Sequence, residues 1–145
     1  MNHVIAHEAL QERFGKEPSF HDAEVQAVRL DSGQRTDGRA SMEVDIHLFD
    51  ANGLLADGRV NWILHTLTTL RFDGVEDVEL DGFGPQNVLF DLRIEDLGNR
   101  APGRARLLVS LPSSNGLGGS FRCEAATVIA VKDFEPGPHS AYRRS

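Results

Sequence analysis

The stretch Ala40-Ser41-Met42-Glu43-Val44-Asp45-Ile46-His47-Leu48 alternates five apolar residues with four polar ones. Successive side chains of a β-strand point to opposite faces, so this pattern predicts a strand with one face on a core and the other in water. The same period recurs further on. Val88, Phe90, Leu92 and Ile94 share one parity within residues 86–95, and Ala105, Leu107, Val109 and Leu111 do so within 104–111. Residues 61–72 form a longer run rich in Thr and Leu with the single Trp62, suited to a pleated surface. Shorter strands are expected at 24–30, 75–80, 120–125 and 127–132.

Turn chemistry separates these runs. Asp31-Ser32-Gly33, Asp37-Gly38, Asn52-Gly53, Asp57-Gly58 and Asp73-Gly74 are residues that tolerate positive φ or bond their own backbone. No helical pattern recurs between the strands, so the connections read as an antiparallel meander rather than βαβ units. Near the N-terminus, Ile5, Ala9 and Phe14, widened by Val4 and Leu10, recur at near-helical spacing and Gly15 follows as a stop. The expectation is an α+β protein, mainly antiparallel β-sheet of about seven or eight strands, with one N-terminal helix over residues 3–14. A single β-rich domain is expected over residues 1–134. Pro136-Gly137-Pro138 and the polar end suggest a flexible tail over 135–145.

The totals narrow the function. A chain of 145 residues with 40% apolar and 26% charged residues is ordinary for one globular domain. A net charge of -7 argues against gripping phosphate backbones and for a basic partner. Cys123 stands alone, which excludes an internal disulfide and a Cys-rich zinc site and suits a reducing cytosol. The N-terminus lacks a basic region followed by an apolar one, and no apolar run approaches the ~20 residues of a membrane helix. A cytoplasmic protein with no membrane or nucleic-acid partner and no cofactor is expected.

Phe20-His21-Asp22-Ala23-Glu24 sets an imidazole beside carboxylates just before a strand. It is readable as a general base, a metal ligand or a recognition loop. The plainer reading is a strand entry in which Phe20 fills the core and His21 or Asp22 bonds nearby backbone. His47 and His65 lie on neighbouring expected strands. Paired as a hairpin, they would approach each other, and a metal site with His21 and Asp22 becomes an alternative; solvated faces are the plainer reading. The run 114–120 is rich in glycine but lacks the Lys-Ser/Thr ending of a phosphate loop, so a turn aiming Phe121 into the core explains it better. No Gly-x-Ser-x-Gly elbow is present, and no catalytic motif is recognised. Between residues 76 and 96, Glu76, Asp77, Glu79, Asp81, Asp91, Glu95 and Asp96 are opposed by Arg93 alone, a local charge of -6. Such a field speeds encounter with a basic partner; an ordinary solvated sheet face carries the same composition.

Three stretches together resemble the immunity protein 50 family of bacterial toxin systems. They are Pro18-Ser19-Phe20-His21-Asp22-Ala23-Glu24-Val25, His65 through Val75 leading into Leu80-Asp81-Gly82-Phe83-Gly84-Pro85-Gln86-Asn87-Val88-Leu89, and Gly116 through Cys123. Phe20, His21, Asp22 and Glu24, then Phe83, Gln86 and Asn87, and finally Phe121 carry the likeness. Gly84-Pro85 departs from the Asn-His-like pair expected before Gln86. The resemblance implies a cytosolic antidote that binds and neutralises a cognate toxin, with no enzymatic role to carry over; a basic nuclease is the partner that the acids of residues 76–96 would suit. A metal-binding protein or enzyme using His21, Asp22, His47 and His65 is the alternative, and a module that dimerises through an edge strand is a third.

Overall fold

The computed structural model describes residues 2–98 and 103–142. Eleven strands and one helix are found among them. In chain order these are β1 (Val4–Ile5), α1 (Glu8–Phe14), β2 (Glu24–Asp31), β3 (Ser41–Leu54), β4 (Val60–Asp73), β5 (Glu76–Asp81), β6 (Val88–Leu89), β7 (Arg93–Asp96), β8 (Leu107–Leu111), β9 (Ser113–Asn115), β10 (Gly118–Cys123) and β11 (Ala125–Asp133). They form a seven-stranded sheet of order β1-β11-β4-β3-β2-β6-β9 and a four-stranded sheet of order β5-β10-β8-β7. All pairings are antiparallel except β1 with β11.

The alternation in β3 does what its period demands. Met42, Val44, Ile46 and Leu48 are buried, and across the hairpin Phe72, Leu70, Thr68 and Thr66 stand opposite them. The second sheet supplies Leu107, Val109, Leu111, Phe121 and Cys123 to the same core. Phe72 and Phe121 join the two sheets edge-to-face, with ring centroids 4.8 Å apart. The chain crosses between sheets twice at one corner. One crossing is Asp73-Gly74-Val75 after β4 and the other is Glu124 between β10 and β11, and the Glu124 amide donates to Asp73 O at 2.8 Å.

Two expected elements are corrected. The helix does not start at residue 3. Val4 and Ile5 pair with Ala126 and Thr127, and Ala6 takes φ 62, a left-handed conformation no helix passes through. The helix therefore begins at Glu8, buries Leu10 and Phe14, and ends at Gly15 with φ 69. Residues 86–95 are not one strand. β6 belongs to the first sheet and β7 to the second, so Leu89 is buried while Phe90 is 50% exposed, the reverse of the alternation.

Beyond β11 the chain turns back. Gln86 Nε2 donates to His139 O at 3.1 Å, Ser140 Oγ donates to Glu24 at 2.7 Å, and the Tyr142 ring stacks on Phe49. Residues 139–142, part of the stretch 135–145 expected as a tail, thus contact the large sheet and its neighbouring loop, and residues 143–145 lie outside the described ones. No described helix is long and apolar enough to cross a membrane.

Candidate functional site

The outer face of β2, β3 and β4 carries the residues that alternate with the core. Glu24 pairs with His47 across β2 and β3, and this face places a carboxylate beside an imidazole. His47 Nδ1 lies 2.7 Å from Glu24 Oε1, and His47 Nε2 lies 2.8 Å from His65 Nδ1. A bulge between Leu48 and Asp50, with Leu64 at φ 54, bends β4 beside His65. His47 is 0% exposed, His65 3% and Glu24 4%. The solvated faces expected for the two histidines are therefore overturned: the two strands that carry them, β3 and β4, are covered here by residues 140–142 and by aromatic rings.

Those rings are Phe49, Trp62, Phe134 and Tyr142. Phe134 lies 4.8 Å from the His47 ring, Tyr142 4.2 Å from Phe49, and Trp62 meets Phe49 edge-on at 5.0 Å. Burial pushes the Tyr142 phenol up to about 12, helped by the carboxylates of Asp22 and Glu24. Glu24 goes the other way. Burial alone raises a carboxyl, but hydrogen bonds from His47, Ser140 Oγ and the Ala141 amide outweigh it and hold Glu24 below its ordinary 4.5. An ionised Glu24 accepts the Nδ1 proton of His47, which leaves a single proton between the two imidazoles.

The other motif residues build the frame beside this chain. Phe20 is buried, His21 Nδ1 lies 2.9 Å from Phe90 O, and the Asp22 amide donates to Leu89 O. Asp22 sits at φ 67, a conformation that Asp tolerates better than most residues. Asn87 is a staple. Its Oδ1 accepts from the Gly84 and Leu117 amides at 3.0 and 3.1 Å, and its Nδ2 donates to Gly84 O at 2.8 Å and Val25 O at 3.4 Å. Gly116, at φ 74, lies so close that a Cβ would stand 2.2 Å from Gln86 O. Phe83, on the stapled loop, is 56% exposed.

The four-residue metal site weighed above is not assembled. His21 turns to the Phe90 carbonyl, the facing nitrogens of His47 and His65 are taken by each other, and among the described residues no group of three or more His, Cys, Asp or Glu is placed to hold a metal ion. The seven acids are spread over two edges. Glu76, Asp77, Glu79 and Asp81 lie on β5, and Glu95 and Asp96 on β7 at the opposite edge of the small sheet, with Asp91 just before it. Glu76 and Asp77 pair with Arg104, Asp91 with Arg93, and Asp96 with Arg106. Cys123 is buried, and that burial, with Asp73 adding to it, pushes its thiol up to about 12, far from an activated nucleophile.

Fold and site together define a small, mainly β protein of two sheets that carries a buried carboxylate–imidazole–imidazole chain on the outer face of the larger one. The family described as Immunity protein 50 matches residues 6–134, and the chain belongs to it. Comparison with the curated proteins and with the solved structures gives no match. The matched span takes in Glu24, His47, His65 and Asn87 but ends before Ser140 and Tyr142.

The roles of Ser140 and Tyr142 left no periodic trace in the sequence, because they act from an irregular segment. The one available signal was that Trp62 and Tyr142 are the single Trp and the single Tyr of the chain.

Proposed function

We propose that this immunity protein binds a cognate toxin in the cytosol and blocks it by occluding its active site or substrate groove, without catalysis of its own. The observation that carries this reading is the family match over residues 6–134. Electrostatics add to it. The net charge of -7 favours a basic partner such as a nuclease, whose cleft must attract phosphates. Among the described residues, Glu79 and Asp81 on β5 carry no ion pair, while Glu76 and Asp77 on the same strand pair with Arg104. The acids Glu76, Asp77, Glu79, Asp81, Asp91, Glu95 and Asp96 then steer the encounter, while a few buried aromatic or Arg anchors hold most of the affinity. A stable pair of this kind buries ~1,200–2,000 Å². The test is co-expression with the polypeptide encoded beside this chain, scored by growth and by co-elution.

A further inference from the structure

The segment 138–142 occupies a groove that the rest of the chain builds. Ser140 Oγ donates to Glu24 Oε1 at 2.7 Å, and the Ala141 amide approaches Oε2 at 3.4 Å. Tyr142 packs against both Phe49 and Trp62, with centroids 4.2 and 5.4 Å away. Every groove residue in these contacts lies within the family-matched span, and the occupant lies outside it. The occupant is itself only partly covered: His139 and Ala141 are exposed, and Ser140 and Tyr142 half-buried. Beside it runs an open cleft of about 440 Å³ lined by Gly84, Pro85, Gln86, Asn115, Gly116 and His139 among others. Phe83 rises from the same stapled loop at 56% exposure. Phe90, 50% exposed, stacks edge-on with His21, whose neighbour Asp22 acts on Tyr142. Exposed aromatic side chains around a polar groove are what partner surfaces concentrate.

We infer that this end of the large sheet is the toxin-contact surface, and that an extended toxin segment displaces residues 138–142, setting a hydroxyl on Glu24 and an aromatic ring against Phe49 and Trp62. The identity of the partner rests on the immunity reading; the groove and its chemistry do not. The resident segment shows what the groove accepts: a hydroxyl and a main-chain N–H on a buried carboxylate, then an aromatic ring two residues on. A tethered occupant competes at an effective concentration of about millimolar. Release therefore makes binding conditional on a segment that fits better.

The test uses the full chain carrying Ser140→Ala and Tyr142→Ala, which empties the groove and leaves Glu24, Phe49 and Trp62 in place. The probe is the synthetic peptide Glu-Pro-Gly-Pro-His-Ser-Ala-Tyr, and the readout is the fluorescence of Trp62. A saturable change is expected, at least about tenfold weaker with the unsubstituted chain because its own segment competes, and lost when the peptide's Tyr is replaced by Ala. No saturable change in a variant whose circular dichroism is native overturns the inference. Should that variant not fold, the unsubstituted chain decides. Exchange of the Ala141 amide is followed with and without the toxin encoded beside this chain. Faster exchange in the complex supports displacement. A bound toxin that leaves Ala141 as protected as before overturns the inference while the immunity reading stands. A toxin that does not bind removes that reading, and this partner with it.

Discussion

His47 Nε2 and His65 Nδ1 face each other at 2.8 Å in a site closed to water. Only one hydrogen fits between them, so one of the two facing nitrogens donates and the other accepts. Behind them Glu24 fixes His47 through Nδ1, and each group depends on the next. His47→Phe leaves a buried carboxylate without its imidazole and is expected to cost about 3 kcal/mol of unfolding free energy. Adding Glu24→Gln to it costs less than the sum of the single changes. Urea denaturation of the four chains checks this, and strict additivity contradicts it.

Glu24 sets a pH dependence whose sign follows from its lowered pKa. Its contribution to stability is present above the ordinary 4.5 and is lost as the pH falls through the lower folded value. Thermal melts between pH 6 and about 3 should therefore drop more steeply for the native chain than for Glu24→Gln. Parallel curves would take Glu24 out of the account.

Asn87 predicts a structural phenotype. Replacing it by Leu strips partners from the buried Leu117 amide, the part-buried Gly84 amide and two carbonyls that tie β2 to the loops at 84 and 117. A loss of about 3 kcal/mol or more is expected in equilibrium unfolding. Gly116→Ala should be damaging for a different reason, since its methyl meets Gln86 O in a left-handed backbone.

Cys123, 0% exposed and with its thiol pushed up to about 12, should stay unreactive toward a thiol reagent in the folded protein at pH 8 and react promptly in denaturant. Labelling monitored by mass measures both rates, and rapid modification of the native chain contradicts the packing described.

What was legible in the sequence was what periodicity encodes. Met42, Val44, Ile46 and Leu48 alternate because one face of β3 is buried, and the turn residues around them mark the hairpins. Periodicity misled at residues 86–95, where the chain leaves one sheet after Leu89 and enters the other at Arg93; a bend that changes sheets resets which parity faces inward. It misled at Val4 and Ile5 too, whose spacing suits a helix but whose partners on β11 come from the far end of the chain. The approach of His47 to His65 followed from hairpin pairing. Their burial did not, because it depends on residues 134–142 folding back, a contact across more than seventy residues that no local pattern records.

The most direct test of the central claim is co-expression of this chain with the polypeptide encoded beside it, followed by size-exclusion chromatography. Relief of that neighbour's toxicity and co-elution at one-to-one stoichiometry are predicted, with association slowed at low salt when Glu79 and Asp81 are reversed to Lys. Separate elution, with toxicity unrelieved or absent, would contradict the reading of this protein as an antidote.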